Sequence, residues 1–286
     1  MTASPVRLFG GAKARGEKLA MISLYDAPTA ALCCDAGVDV ILVGDSLGNV
    51  VLGHESTVPV TMEDMLLHTA AVARGVRSSS RPDVPVIADL PFGTYATVAH
   101  ATKNGADLMR AGAHGVKLEG AGEAAIAAVR ALDGMGAPVV GHLGYTPQSA
   151  LSFAGVVQGK TGAAASRLLD EALRLEKAGC CAIVLEVVPV EVARRVTEAL
   201  SIPTIGIGAG GECDGQVLVW HDLAGLTPGK PLRFVKRYAD AHSLLAEAAE
   251  GFIEEVRSGA FPRPEHGWPM DEDELKRWSS ESGDEG

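Results

Sequence analysis

Residues 84–119, VPVIADLPFGTYATVAHATKNGADLMRAGAHGVKLE, contain the pattern that decides the fold. A short run rich in β-branched residues, 84–90, precedes an Ala-rich helical segment, 97–111, and a second apolar run, 115–118. Short runs that are apolar on both faces are typical of parallel strands covered by helices. This stretch therefore predicts one strand–helix–strand unit of a parallel sheet.

The same alternation continues in both directions along the chain. Helical segments are predicted at 27–36, 62–77, 97–111, 123–134, 163–178, 190–200 and 241–256. Strands are predicted at 20–24, 38–43, 84–90, 115–118, 138–142, 182–185, 203–207 and 216–220. Eight such repeats in a chain of 286 residues favour a single (β/α)8 barrel of the TIM type, with an open doubly wound sheet as the structural alternative.

Composition excludes several classes of protein. With 25 Lys+Arg against 36 Asp+Glu, the net charge of −11 argues against a nucleic-acid-binding protein. No apolar run approaches the roughly 18 residues that span a bilayer, and the N-terminus lacks the apolar region of a secretory signal. The five cysteines include two adjacent pairs, which form a poor disulfide framework, so we expect buried thiols and a cytoplasmic protein.

Polar residues stand at the C-terminal ends of the predicted strands. Asp45, Asp89 and Glu119 follow three consecutive strands, and the carboxyl ends of barrel strands meet on one face. Buried carboxylates must be paired, hydrogen-bonded or bound to a metal. An oxygen-only set of ligands suits Mg²⁺, so the three residues are predicted metal ligands, with Asp45 and Asp89 also close to the substrate.

Three further strand-end residues complete the candidate site. Lys117 lies two residues before Glu119, so both side chains point to the same side of the strand, where the lysine could hold a substrate carboxylate beside the metal. Glu186 is the acid left free to act as a general base. His142 is interpreted as mainly structural.

Two short motifs match other enzyme classes. Residues 44–48, GDSLG, fit the nucleophile elbow of esterases, but none of the eight histidines has the Asp three residues before it that such esterases carry. Residues 206–211, GIGAGG, fit a dinucleotide-binding loop, but a turn and another strand follow instead of the required helix. A glycine-lined strand end, open to a ligand, explains the second motif better.

Longer motifs identify a family. The segments MISLYDAPTAA (21–31), DVILVGDSLGNVVLG (39–53), TVPVTMEDMLLHT (57–69), ADLPFG (88–93), VKLEG (116–120), GHLGYTPQS (141–149) and IPTIGIGAGGECDGQVLVWHDLAGL (202–226) resemble the ketopantoate hydroxymethyltransferase family. The resemblance also includes FVKRYAD (234–240) and FPRPEH (261–266). It departs at His54, where the family often has Tyr, and in MISLYD, where MLTAYD is usual.

The resemblance implies an activity. The enzyme would transfer a hydroxymethyl group from 5,10-methylenetetrahydrofolate to 3-methyl-2-oxobutanoate, giving 2-dehydropantoate. The reaction would pass through a Mg²⁺-stabilised enolate and would be a step of pantothenate synthesis. Asp45 and Asp89 would bind the metal directly and Glu119 through water. Ser46 and Lys117 would hold the oxoacid, and Glu186 would accept the proton. The family's assemblies imply a homo-oligomer, a decamer.

The resemblance also divides the chain. Residues 19–266 would form the catalytic barrel, after an N-terminal extension, 1–18, and before a flexible acidic tail, 267–286. Within the barrel, Leu244, Leu245, Ala248, Phe252 and Val256 have helical spacing, which predicts a stripe facing the core.

The sequence leaves three other functions open. One is a Mg²⁺-dependent lyase or mutase of the phosphoenolpyruvate mutase and isocitrate lyase type, although the K-K-C-G-H loop typical of those enzymes is absent. Another is an aldolase with Lys117 as a Schiff-base nucleophile. The last is a binding module without catalysis, which would have no need for a base at Glu186.

Overall fold

Eight parallel strands close into a barrel in chain order, each hydrogen-bonded to the next and β8 to β1. The computed structural model describes residues 4–281, with side chains to residue 280. The strands are β1 Leu19–Ser23, β2 Val40–Val43, β3 Val86–Asp89, β4 Gly115–Glu119, β5 Val139–Gly144, β6 Cys180–Glu186, β7 Thr204–Ile207 and β8 Gly215–Val219. The (β/α)8 barrel prediction is confirmed, and the open sheet is excluded.

Helices separate most of the strands. Those of the first 239 residues are α1 Pro5–Arg15, α2 Ala27–Asp35, α3 Leu47–Val50, α4 Met62–Ser78, α5 Val98–Ala111, α6 Glu123–Gly134, α7 Gly162–Ala178, α8 Val190–Ala199 and α9 Trp220–Leu223, with a 3₁₀ helix at Pro147–Ser152. Polar caps fix where several of them begin. At α4, for example, the Thr61 side chain accepts a hydrogen bond from the Asp64 amide, and the Asp64 side chain accepts one from the Thr61 amide.

The interior of the barrel changes character along each strand. Ile87, Val140 and Val184 belong to the apolar cluster inside the barrel. Two residues further along the same strands come Asp89, His142 and Glu186, which line a cavity at the C-terminal end. Since side chains two apart in a strand share a face, these polar groups stand directly above the apolar layer. The fold thereby gathers them at one end of the barrel.

The opposite end of the barrel meets α1. Phe9 and Ala12 of this helix are buried in the same cluster as the interior residues Leu19 and Met21. The sequence predicts that residues 1–18 form an N-terminal extension before the catalytic domain. Part of that segment, α1, packs against the barrel interior.

The chain divides into two compact units, 1–239 and 240–286. The second contains α10 Ala241–Ser258, a 3₁₀ helix at Pro264–His266 and α11 Glu272–Glu281. This division differs from the bounds 19–266 and 267–286, and α11 gives the tail a helix as far as residue 281. Residues 282–286 lie outside the described part of the chain.

The apolar stripe on α10 does not face a core. Leu244 is 66% exposed, Phe252 58% and Val256 47%. The prediction of a core-facing stripe is therefore wrong. Helical spacing shows that one face is apolar, but it does not identify the surface that the face meets.

Two smaller predictions concern cysteines and membranes. All five cysteines, Cys33, Cys34, Cys180, Cys181 and Cys213, are free and buried, as expected. Among the described residues, we find no helix with the length and apolar character that crossing a membrane requires.

Candidate active site

A cavity of about 440 Å³ opens at the C-terminal end of the barrel. Its lining includes every site residue that the sequence predicted, together with the histidine left as structural: Asp45, Ser46, Asp89, Lys117, Glu119, Glu186 and His142. Cavities of this size hold small organic ligands, and this end of the barrel is where such folds carry their chemistry.

Three carboxylates meet on the floor of the cavity, and all three are buried. The Asp45 amide donates a hydrogen bond of 3.0 Å to Asp89 Oδ2. Glu119 Oε2 accepts one of 3.0 Å from the backbone amide of Gln148. The other oxygens of these two side chains, Asp89 Oδ1 and Glu119 Oε1, are buried and accept no hydrogen bond. The second oxygen of each is instead at ion-pair distance from a basic group, Lys117 Nζ for Asp89 and His142 Nδ1 for Glu119.

Lys117 partly balances this negative charge. Its Nζ lies 2.9 Å from Asp89 Oδ1, at ion-pair distance although not at the angle of a hydrogen bond. Burial lowers the pKa of Lys117, but the charges of Asp89, Glu119 and Asp45 outweigh burial and raise it. The lysine is therefore a cation at neutral pH and not the neutral amine that a Schiff base requires.

The neighbouring negative charges act on the pKa of Asp45. Burial, followed by the charges of Asp89 and Glu119, raises the pKa of Asp45 to about 8. A cation bound among these groups would relieve the repulsion and favour the ionised carboxylate.

The donor chemistry of the floor fits Mg²⁺. Hard oxygen ligands suit this ion, which usually takes one or two carboxylates and completes its shell with water and substrate oxygens. Within residues 4–281, no three Cys, His, Asp or Glu side chains converge as a ready-made metal group. The fit consequently rests on the oxygen-only donor set and not on a closed protein cage. In that set, Asp89 Oδ1 and Glu119 Oε1 accept no hydrogen bond, although each has an ion-pair partner.

His142 stands between the carboxylate cluster and Glu186. Its Nδ1 lies 3.3 Å from Glu119 Oε1, and its Nε2 lies 3.3 Å from Glu186 Oε2. Burial and the charge of Lys117 lower the pKa of His142, but the two glutamates outweigh them and raise it to about 9. The imidazolium of His142, on β5, therefore bridges the carboxylates of Glu119, at the end of β4, and Glu186, at the end of β6.

Glu186 is the most accessible acid of the group. Its side chain is 16% exposed, whereas that of Glu119 is 2% exposed. Apart from His142, no described side chain forms an ion pair with it. A carboxylate with access to the cavity is well placed to exchange a proton with a bound ligand.

Gln148 is a site residue that sequence reasoning missed. It lies in the 3₁₀ helix Pro147–Ser152, within the loop between β5 and α7. Its Nε2 donates to Asp45 Oδ2 at 2.8 Å and to the Leu90 carbonyl at 3.0 Å, and its Oε1 accepts from the Tyr95 hydroxyl at 2.7 Å. Gln148 lies in the segment GHLGYTPQS (141–149), but no sequence pattern predicts its contacts.

The two competing motifs now have structural explanations. Ser46 Oγ lies 2.8 Å from the Tyr25 hydroxyl and 3.4 Å from Ser23 Oγ, and no described histidine is hydrogen-bonded to it, unlike an esterase nucleophile. GIGAGG ends β7 and leads into β8, not into a helix. Gly208 and Gly210 adopt φ values of +66° and +83°, which favour glycine.

Sequence comparison connects this site to known enzymes. Residues 5–264 match the family model described as ketopantoate hydroxymethyltransferase. A Thermotoga sp. (strain RQ2) protein named 3-methyl-2-oxobutanoate hydroxymethyltransferase is 52% identical over 252 residues, covering 87% of this chain and 91% of the relative. A Thermoanaerobacter sp. (strain X514) protein of the same name is 48% identical over 267 residues, covering 92% and 95%.

Solved structures share the fold at much lower identity. A 2,3-dimethylmalate lyase of the phosphoenolpyruvate mutase and isocitrate lyase superfamily matches with a TM-score of 0.58 and 15% identity, over 99% of this chain and 100% of that one. A phosphoenolpyruvate phosphomutase from Streptomyces platensis matches with a TM-score of 0.61 and 13% identity, over 99% and 98%. The likeness to the lyases and mutases is one of fold, whereas the sequence matches place the chain, an enzyme that transfers one-carbon groups, in the ketopantoate hydroxymethyltransferase family.

Proposed function

We propose that the enzyme transfers a hydroxymethyl group from 5,10-methylenetetrahydrofolate to 3-methyl-2-oxobutanoate, giving 2-dehydropantoate, a step of pantothenate synthesis. Family membership supports the reaction class. The observation that carries the proposal is one cavity that holds the carboxylate cluster, Lys117 and Glu186, with His142 between Glu119 and Glu186. We assign the cluster and Lys117 to orienting an oxoacid and Glu186 to removing its proton.

Mg²⁺ is the proposed cofactor. Asp45 and Asp89 would bind it directly and Glu119 through water, because two of these side chains keep an oxygen that accepts no hydrogen bond and the Asp45 carboxylate is held by Gln148. When bound, the ion supplies Lewis-acid stabilisation of the negative charge that develops on the oxoacid.

Lys117 and Ser46 are proposed to orient the oxoacid. The Lys117 ammonium is buried and protonated, so it can pair with the substrate carboxylate at the cavity floor. The Ser46 hydroxyl, already held by the Tyr25 hydroxyl, can donate to a substrate oxygen. Together they would point C3 of the oxoacid across the cavity.

Glu186 is the proposed proton acceptor. Its carboxylate would take the C3 proton, leaving an enolate whose carbon attacks the methylene carbon of the folate. The bond from the methylene carbon to N10 breaks in that step, and N10 takes the proton removed from C3. Water then displaces N5, giving its hydroxyl to the product and its other proton to N5, and tetrahydrofolate leaves. His142 Nε2 lies 3.3 Å from Glu186 Oε2 and holds the carboxylate in place.

One assay tests the proposal. Purified enzyme should form 2-dehydropantoate from the oxoacid and methylenetetrahydrofolate, stop after treatment with excess chelator, and recover when Mg²⁺ is restored. Full turnover in chelator would remove the metal from the proposal. Absence of product in the presence of Mg²⁺ and both substrates would remove the reaction itself.

We also propose a cytoplasmic homo-oligomer, a decamer by family resemblance. The buried free thiols suit a reducing compartment. The exposed apolar side chains of α10, such as Leu244 and Phe252, are of the kind that oligomer interfaces cover. Light scattering of the purified protein would give the mass of the assembly.

A further inference from the structure

A cationic segment forms part of the cavity wall. Residues 223–239, LAGLTPGKPLRFVKRYA, contain four Lys and Arg and no Asp or Glu, in a chain whose net charge is −11. We name residues 227–237 of this stretch the rim segment. Lys230 and Arg237 of the rim segment line the cavity together with the site residues, and both are exposed. No described carboxylate forms an ion pair with either.

The rim segment is fixed to the barrel. The Phe234 ring lies 3.0 Å from where a Cβ on Gly208 would stand, so it packs directly on the end of β7. The Arg237 guanidinium donates hydrogen bonds of 2.7 Å to the carbonyls of Thr227 and Gly229 and closes the segment on itself. Apolar side chains of the segment, Leu232 and Val235, also line the cavity. The cations therefore have a defined place at the mouth.

The cavity is electrically asymmetric. Its floor holds four acids, Asp45, Asp89, Glu119 and Glu186, against Lys117 and His142. A fifth acid of the lining, Asp222, accepts a hydrogen bond from the Thr227 hydroxyl, and the rim segment itself adds only positive charge. Lys117 is the proposed partner of the oxoacid carboxylate, so a further anion at the floor would meet the carboxylates, whereas one at the mouth would meet Lys230. A long ligand with negative charge at one end would thus enter with its neutral, reactive end first.

We propose that Lys230 of the rim segment binds the glutamate carboxylates of the folate co-substrate, with Phe234, Leu232 and Val235 as the apolar wall for its aminobenzoyl ring. This inference rests on the proposed function. It assigns the co-substrate's orientation, with the methylene carbon toward Glu186 and the anionic tail at the mouth. It also gives the enzyme a preference for co-substrates with more than one glutamate, because each adds a carboxylate near the cations.

The test is a kinetic comparison of three co-substrates: the methylene forms of tetrahydropteroate, which lacks glutamate, tetrahydrofolate, and its triglutamate. In the wild type, KM should fall along this series. Lys230→Gln should raise KM for the monoglutamate about fivefold, which corresponds to the upper end of the free energy of one exposed ion pair. It should also narrow the differences in KM between the three co-substrates. Lys230→Glu should raise KM for the monoglutamate further, and Lys230→Arg should restore the wild-type values.

Two controls make the result specific. Arg233→Gln removes a cation of the same segment that is outside the cavity lining, and it should leave all three KM values within about twofold. KM for the oxoacid should stay within about twofold in every variant, because its proposed ligands are on the floor.

The outcomes separate the two proposals. If the wild type forms no product from any of the three co-substrates, the proposed function fails. If it turns over all three with equal KM, or if Lys230→Gln and Arg233→Gln behave alike, the reaction stands and the tail-binding role of the rim segment is overturned.

Discussion

Gln148 Nε2 lies 2.8 Å from Asp45 Oδ2, and the backbone amide of the same glutamine lies 3.0 Å from Glu119 Oε2. One residue of the loop between β5 and α7 therefore hydrogen-bonds two of the three floor carboxylates. These are Glu119, at the end of β4, and Asp45, two residues after β2. The orientation of the floor carboxylates therefore depends on this loop residue as well as on the strands.

Gln148→Ala should weaken Mg²⁺ binding about tenfold or more, as loss of a residue that orients a metal ligand usually does. It should also lower stability by about 1–3 kcal/mol, because Asp45 Oδ2 and the Leu90 carbonyl lose their donor. Titration calorimetry and urea unfolding measure the two effects. Gln158→Ala, in the same loop and outside the floor, is the matched control; equal effects of both variants would contradict a specific role for Gln148.

Asp45→Asn should separate metal binding from stability. Since burial and the neighbouring acids raise the pKa of Asp45 to about 8, removing its charge should stabilise the metal-free protein at pH 9. The same change should abolish the rise in melting temperature that Mg²⁺ gives the wild type. Glu119→Gln should lose less of that rise, because a water-mediated ligand is easier to replace. A full Mg²⁺ response in Asp45→Asn, measured by scanning calorimetry, would exclude Asp45 as a ligand.

Lys117→Ala should raise KM for the oxoacid and lower kcat, because the proposed partner of the ammonium is the substrate carboxylate. It should also destabilise the protein by about 3 kcal/mol, because Asp89 loses its ion pair in a buried site. Lys103→Ala, on the surface of α5, is the control. Covalent labelling of Lys117 by borohydride with the oxoacid would support a Schiff base and contradict the anchoring role.

Glu186→Gln should stop exchange of the C3 proton of the oxoacid with deuterated water, a half-reaction that needs no folate. A positioned general base contributes about 10²–10⁴-fold, so NMR should show a fall of at least roughly 100-fold. Binding of Mg²⁺ should persist, since its proposed ligands are other residues: Asp45, Asp89 and Glu119. Glu191→Gln, on exposed surface of α8, should exchange normally. Near wild-type exchange in a folded, Mg²⁺-loaded Glu186→Gln would transfer the base role to another residue, His142 first.

The pH dependence of stability should reveal His142. Its pKa is about 9 in the folded protein and near 6.5 in the unfolded chain, so the folded state holds the proton more tightly. The resulting stabilisation is fully present below pH 6.5 and is lost as the pH rises through about 9. In chelator, urea unfolding from pH 7 to pH 9 should show falling stability, with a smaller fall in His142→Gln than in the surface control His100→Gln. Parallel pH profiles for the two variants would contradict a protonated His142.

The barrel could be predicted because parallel strands buried on both faces leave continuous apolar runs. All eight runs are strands in the structure, and only their ends differ. For example, β6 begins at Cys180 instead of residue 182, since Cys180 pairs with Val139 of β5 and the register shifts at Cys181. The strand ends also brought Asp89, Lys117 and Glu119 together, because parallel register carries each of them to the same end of the barrel.

Other features could not be predicted because they depend on chain segments without periodicity. The contacts of Gln148 follow from how the loop after β5 folds back over the barrel mouth. The rim segment is another such case, because a run of cations is usually a solvated surface and only its position shows that it faces the cavity. The assigned roles of Asp45, Ser46, Asp89, Lys117, Glu119 and Glu186 remain predictions, which the variants above test.

The buried thiols can report when different parts of the folded barrel open. Cys33 and Cys34 are on α2, Cys180 and Cys181 on β6, and Cys213 just before β8. Burial raises the pKa of all five, and only the thiolate reacts with alkylating reagents. Labelling must therefore wait until the surrounding structure opens. Mass spectrometry of labelled peptides would time the opening of the helix layer, the barrel wall and the β7–β8 connection separately, with no probe added to the chain.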